Sequence, residues 1–156
     1  MREILFRGKR TSNGEWVSGG SIVQFVEDGV RSFYMPQYNE KCTCTHDGLT
    51  DDILGFEDCR FYKVDGKTIC QYTGLTDKNG KNIFEGDYWI DEEGDIIVVE
   101  FRNCQFCFVI YGYDDELFGF AEVGELDCVP LDYYYINKIE FADNIHDNPE
   151  LLKGEE

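Results

Sequence analysis

Residues able to carry chemistry are few in this chain of 156 residues. Seven cysteines stand at positions 42, 44, 59, 70, 104, 107 and 128, and the histidines are His46 and His146. Two spacings suit a metal ion. The stretch CTCTH brings Cys42, Cys44 and His46 together, and CQFC brings Cys104 and Cys107 together. Four thiolate or imidazole ligands drawn from these could build a tetrahedral zinc site. The second pair, however, lies in VVEFRNCQFCFVIYG, a run with the character of a buried strand or strand bend. A free cysteine in such a run behaves as a small buried hydrophobe, and no helix opens at Cys104 to depress a thiol pKa. An odd cysteine count without an export signal points to reduced thiols. The expectation is no metal, no cofactor and largely dispensable cysteines.

Oxygen ligands and phosphate loops fare no better. Asp91, Glu92, Glu93 and Asp95 could hold magnesium or calcium, but the same residues suit a solvated hairpin tip. The segment QYTGLTDKNGKNIFEGDYW, Gln71 to Trp89, crowds glycines and turn residues in a way that invites a nucleotide reading. A P-loop places four residues between its first glycine and Gly-Lys, then Ser or Thr. Here five residues separate Gly74 from Gly80-Lys81, and Asn82 follows. An EF-hand fails too, since its ligands must alternate through twelve residues to a closing Glu. His46 lies beside Cys44 and Asp47, too close in sequence to assemble a nucleophile, base and orienter readily. No nucleophile elbow, zincin or dinucleotide motif is present. The chain reads as no enzyme.

What remains for these residues is punctuation. Asp77-Lys78-Asn79-Gly80 reads as a hairpin tip, with Gly80 at positive φ and Asp77 mattering less than Gly80. TSNG, containing Asn13-Gly14, separates ILFRGKR from EWVSGGSIVQFVE, and Asp28-Gly29 and Asp65-Gly66 mark two further hairpins. The stretches 7–20 and 73–87 share a grammar. A glycine is followed five residues on by Asn-Gly, then by two large apolar residues, then by another glycine. Beyond Gly86-Asp87, the runs DYWIDE, DIIVVEF, QFCFVIYG, LFGFAEV and YYYINKIEF read as five strands. They would close a small barrel buried on one face by Ile90, Val98, Phe108, Ile110, Phe120 and Ile139. The tail HDNPELLKGEE reads as a short helix capped by Asn148, with Pro149 at its first position. The fold class is therefore mainly β.

Composition bounds the partners. Apolar residues are 42% and aromatics 15%, which suits a chain that builds a packed core. No apolar run approaches the roughly 20 residues that span a bilayer, and MREILFRGKR is no signal peptide. A cytoplasmic, membrane-free protein is expected. The net charge is −18, split as +1 over residues 1–41 and −19 over 42–156. So acidic a surface repels phosphate backbones, and nucleic acid is disfavoured as a partner. The exceptions are an acidic mimic of nucleic acid, and contacts through a basic N-terminal face of Arg2, Arg7, Lys9 and Arg10.

LFRGKRTSNGEWVSG, QYTGLTDKNGKNIFEGD and NIHDNPELL resemble, in order and spacing, the pattern of the YopX family of phage and prophage proteins. The resemblance spans nearly the whole chain. It implies a mainly β protein with an N-terminal portion and a C-terminal SH3-like β-barrel starting near Glu85-Gly86-Asp87. Together with the residue reading this gives an N-terminal β-hairpin region over 1–70, the barrel with its leading hairpin over 71–147, and a short helical tail over 148–156. The resemblance also implies a bacterial cytoplasm, and it carries over no catalytic residue. SH3-like barrels bind peptides or nucleic acids through surface aromatics. The candidates here are Tyr88, Trp89, Tyr111, Tyr113 and the run Tyr133-Tyr134-Tyr135, whose outer members Tyr133 and Tyr135 share a face by strand alternation. The expected role is a non-enzymatic, oligomeric interaction protein with a host or phage protein as partner. The alternative is a nucleic-acid-associated regulatory factor.

Overall fold

A computed structural model describes residues 3–38, 59–113, 123–131, 136 and 139–152. The protein is mainly β. Its backbone divides into two compact units, one over residues 5–69 and one over residues 70–156 together with the first four. Among the described residues no helix is long and apolar enough to cross a membrane.

In the unit 5–69, β1 (Phe6–Lys9) and β2 (Trp16–Gly19) form an antiparallel hairpin. β3 (Val23–Glu27), β4 (Val30–Tyr38) and β5 (Cys59–Val64) form an antiparallel sheet in that order. Asp28 and Gly29 join β3 to β4 at φ +49° and +79°, the left-handed pair of a primed hairpin turn. Met35 and Val64 are the buried centre of this unit. Gly8 of β1 lies directly over both: a Cβ there would sit 3.3 Å from Val64 and 3.4 Å from Met35. Asp65-Gly66 does not make the expected third hairpin. Asp65 instead caps a 3-10 turn over Gly66–Thr68, accepting the Lys67 N–H at 3.0 Å. Thr68 Oγ1 then accepts the Lys9 N–H at 2.8 Å, and Asp65 N–H donates to Lys9 O at 2.9 Å. An Asp side chain that bonds its own backbone two residues on competes with strand pairing.

The second unit opens with the hairpin β6 (Cys70–Thr76) and β7 (Asn82–Phe84). β8 (Asp87–Ile90), β9 (Ile96–Arg102), β10 (Gln105–Tyr113), β11 (Val123–Pro130) and β12 (Asp143–Asn144) follow. They make one antiparallel sheet in the order β11-β10-β9-β8-β12.

The sheet is covered on both faces, not on one. β9 is the reason: Ile96, Ile97, Val98 and Val99 are all buried, as in strands that lie between two layers. Ile97 and Val99 point with Phe108 toward Ile83, Ile136 and Phe141. Ile96 and Val98 point the other way, with Tyr88, toward Ile145, Leu151 and Leu152. Val98 and Phe108, expected on one face, thus lie on opposite faces, and Ile90 is exposed. Phe120 lies outside the described residues.

Two further expectations change. The last strand is Asp143–Asn144, and residues 139–141 are not strand. Ile136 and Phe141 both enter one core cluster, and a spacing of five cannot put two side chains on one face of a strand. Of the run LFGFAEV, Val123 opens β11 and the rest lies outside the described residues. The tail forms turns through Leu152, with Leu151 N–H donating to Asn148 O at 3.1 Å, and not the expected helix. Asn148 donates its side-chain amide to Tyr88 Oη at 3.1 Å and Asp143 at 3.2 Å. A few residues cannot repay helix nucleation, so packing of Leu151 and Leu152 on the sheet decides the local shape.

Candidate functional site: an aromatic cleft beside a buried clasp

The segment that most resembles a ligand loop is structural. Asp77 is 4% exposed. Its carboxylate accepts the N–H groups of Asn79 and Lys81 at 2.8 and 2.9 Å, while Asp77 N–H donates to Lys81 O and Gly80 N–H to Asp77 O. Gly80 takes φ +79°. Lys78 ties the tip to residues 139–140, donating its N–H to Ile139 O at 3.4 Å and pairing with Glu140 at 3.1 Å. That ammonium holds the Glu140 carboxyl below its usual range. The acidic group at 91–95 repeats the same turn. Asp91 Oδ1 accepts the Glu93 and Asp95 N–H groups at 2.9 and 3.0 Å, with Gly94 at φ +93°. Asp91 is therefore used as a turn former. Among the described residues no group of three or more His, Cys, Asp or Glu is placed to hold a metal ion.

Gly86-Asp87 is the centre of a clasp. Asp87 is 2% exposed and accepts the Phe84 N–H at 2.9 Å and the Asn144 amide at 3.1 Å. Asn144, 1% exposed, also donates to Glu85 O at 3.0 Å and accepts the His146 N–H at 3.1 Å. Gly86 N–H donates to Val99 O at 2.7 Å, and Ile145 N–H to Gly86 O at 2.9 Å. Gly86 sits at φ +77°, and a Cβ would lie 2.9 Å from the Asn144 amide. Only glycine fits both the dihedral and the approach. The central Glu-Gly-Asp and the C-terminal Asp-Asn-Ile thus lock together across 57 residues of chain.

Beside the clasp runs an open cleft of about 370 Å³, lined by Gln71, Thr73 and Leu75 of β6, Phe101, Cys104, Gln105 and Phe106 of the β9–β10 hairpin, and Leu131. Asn103 and Cys104 turn that hairpin at φ +50° and +65°, so Phe101 and Phe106 stand opposite each other in register. Their rings meet edge to face at 5.1 Å. Phe101 is 52% exposed, an aromatic ring held in place and offered to solvent. Thr73 is committed inward, donating to Ile83 O at 2.9 Å. Glu85, next to Gln71 through its N–H bond to Gln71 O at 2.9 Å, is half-buried. Burial pushes its carboxyl above the ordinary value, against the pull of the Gln71 and Phe101 backbone N–H groups it accepts. The lining mixes the apolar Leu75, Phe101, Phe106 and Leu131 with the amide side chains of Gln71 and Gln105, the kind of mixed surface that non-covalent ligand sites present.

Of the aromatic residues singled out from sequence whose side chains are described, Tyr88 and Tyr111 share one face of the sheet and Trp89 lies on the other. Tyr88 is buried on the tail side of the sheet. Trp89 lies on the other side, packed edge to face on Phe108 and Phe141 at 4.9 and 5.2 Å. Tyr111 donates to Glu100 at 2.6 Å and accepts from Arg102 at 3.2 Å. Tyr113 ends β10. Tyr133, Tyr135, Cys42, Cys44 and His46 lie outside the described residues, as does Arg2. Asn13 and Gly14 form the β1–β2 turn, with Gly14 at φ +74° and Asn13 Oδ1 accepting the Glu15 N–H at 3.2 Å. Of the basic residues, Arg7 and Lys9 lie over the Trp16 ring at 4.6 and 5.5 Å, and Arg10 over Tyr62 at 4.2 Å. Cys104 is exposed at its turn while Cys107 is buried in the sheet, so the pair does not converge.

Residues 5–153 match the YopX protein family. The chain belongs to that family. No curated protein sequence matches it. The matched span covers the β1–β2 turn, the clasp and the cleft of this YopX-family chain. Glu85-Gly86-Asp87, at the end of the central motif, builds the clasp, and Glu85 N–H pairs with Gln71 O of the cleft lining. Sequence reasoning missed Leu75, Phe101, Phe106 and Leu131. The usable signal was Asn103: a two-residue turn at Asn103-Cys104 places residues 101 and 106 opposite each other.

Proposed function

We propose that this YopX-family chain is a non-enzymatic, phage-type interaction protein of the bacterial cytoplasm that holds an apolar segment of a partner polypeptide in the Phe101–Phe106 cleft. The reading implies that the sheet of the second unit works as an SH3-like platform, with the cleft in place of a tyrosine face. The observation that carries it is the half-exposed Phe101 ring, braced by Phe106 and flanked by Leu75, Leu131 and the amides of Gln71 and Gln105. Aromatic anchors of this kind dominate binding energy at interfaces, at about 2 kcal/mol or more each. Such a loss corresponds to roughly thirtyfold in affinity.

The test places a photo-crosslinking side chain at Gln105 of the full chain in prophage-carrying bacteria. A discrete polypeptide adduct is expected, reduced at least tenfold by Phe101→Ser. An adduct indifferent to Phe101→Ser, or none, overturns the reading. If the adduct is a second copy of the chain, the partner is the protein itself and it is an oligomer.

A second reading is favoured by one observation, the cations of β1 and Arg10 held on the rings of Trp16 and Tyr62. Stacked cations of this type suit single-stranded nucleic acid. It predicts steeply salt-dependent binding abolished by Arg10→Glu, against the opposing charge of −18.

A further inference from the structure

Cys107 of β10 lies opposite Pro130 of β11, and Val109 lies opposite Cys128. The two cysteines are therefore diagonal neighbours on one face of the sheet. Their sulfurs are 3.2 Å apart, with the Cys128 thiol directed at Cys107. Cys107 is 1% exposed, whereas Cys128 is open to solvent. We propose that Cys107 and Cys128 are a redox modification site, closing to an intrachain disulfide when the protein meets hydrogen peroxide.

The geometry assigns the roles. Closing 3.2 Å to a bonded sulfur pair near 2.05 Å takes about 1 Å of approach between the two sulfurs. Cys128 is the sulfur an oxidant can touch. Cys107 is sealed, and burial, with the neighbouring Cys128 sulfur second, pushes its thiol up to about 11. It stays protonated at neutral pH and waits. In the first step the Cys128 thiolate attacks one peroxide oxygen, the O–O bond breaks, and the other oxygen leaves as water after taking a proton. Cys128 is then a sulfenic acid. In the second, the Cys107 sulfur attacks the Cys128 sulfur, the S–O bond breaks, and the hydroxyl leaves as water with the Cys107 proton. Two thiols and one peroxide become one disulfide and two waters. Glu100 O, 3.6 Å from Cys107 Sγ, accepts the thiol hydrogen bond and holds the resolving sulfur on this face. The bond would staple β11, at the end of the described sheet order, onto β10. Cys70 is buried in the clasp region, and Cys104 sits at a hairpin turn, so neither competes by position.

The test treats the reduced full chain with equimolar hydrogen peroxide, blocks remaining thiols, and maps the peptides by mass spectrometry. A Cys107–Cys128 cross-linked peptide, lighter by two hydrogens and restored by dithiothreitol, is expected in the wild type and in Cys104→Ser. The exposed-site variant Cys128→Ser is expected to lose the cross-link and the difference in melting temperature between oxidised and reduced protein. In Cys107→Ala, dimedone is expected to trap a sulfenic acid at Cys128. Over-oxidation of Cys128 without a cross-link in the wild type, or a cross-link through another cysteine, overturns the proposal.

Discussion

Replacing Asn144 by alanine tests whether the clasp holds the second unit together. Asn144 makes three hydrogen bonds of 3.0 to 3.1 Å, to Glu85 O, Asp87 Oδ1 and the His146 N–H. Alanine leaves all three partners short of a bond, and Asp87 is a carboxylate only 2% exposed. A neutral bond lost is worth about 1 kcal/mol, and one to a buried charge about 1.5–3 kcal/mol. The sum is roughly 3–5 kcal/mol, a large share of the about 5–15 kcal/mol that holds a typical domain. At about 2–4 °C per kcal/mol for a chain of this size, the melting midpoint should fall by roughly 6–20 °C. Trp89 reports directly, because it packs on Phe108 and Phe141 in the core of the same unit. A Trp16→Phe background leaves Trp89 as the one tryptophan, so urea melts followed by fluorescence read this unit alone. Asp87→Ala and the double variant complete a cycle, with a coupling of at least about 1 kcal/mol expected between residues in direct contact. An unfolding free energy for Asn144→Ala within about 1 kcal/mol of wild type, or additive single effects, would refute the claim that the two motifs stabilise each other.

Asp77→Ala is expected to cost more than Gly80→Val in a thermal melt. The buried Asp77 carboxylate satisfies two backbone N–H groups, about 1.5–3 kcal/mol each, whereas the Gly80 position faces open space and valine meets only the left-handed strain of about 1–2 kcal/mol; the opposite order would restore the sequence-based ranking. Glu85→Gln is expected to stabilise at neutral pH. The folded carboxyl titrates above its ordinary 4.5, so the folded state binds more protons than the unfolded one, and stability falls as pH rises from 4.5 through the folded value. The advantage of glutamine should vanish below 4.5, and a gain that is flat from acid to neutral would remove burial as the cause.

Much of the architecture was legible from residue order. Alternating apolar residues between Gly- and Asp-bearing turns predict a mainly β chain, and the Asp28-Gly29 turn joins neighbouring strands at the expected positive φ. These features are local: a turn residue acts on dihedrals within its own four residues. Asp65-Gly66 shows the limit of that logic, because the same dipeptide type capped a 3-10 turn once Thr68 had a partner in Lys9. Tertiary structure alone decided which face of each strand is inside. Two-sided burial of Ile96 to Val99 erases the alternation that would have told the faces apart. Strand alternation puts the neighbours Tyr88 and Trp89 on opposite sides, but only the packing decided that Tyr88 faces the tail and Trp89 faces Phe108, and that Phe101 stays open on the cleft. The pairing of Gly86-Asp87 with Asn144, and of Cys107 with Cys128, joins residues far apart in the chain. No local spacing encodes such contacts, since they form only when strand register brings the two side chains within bonding distance.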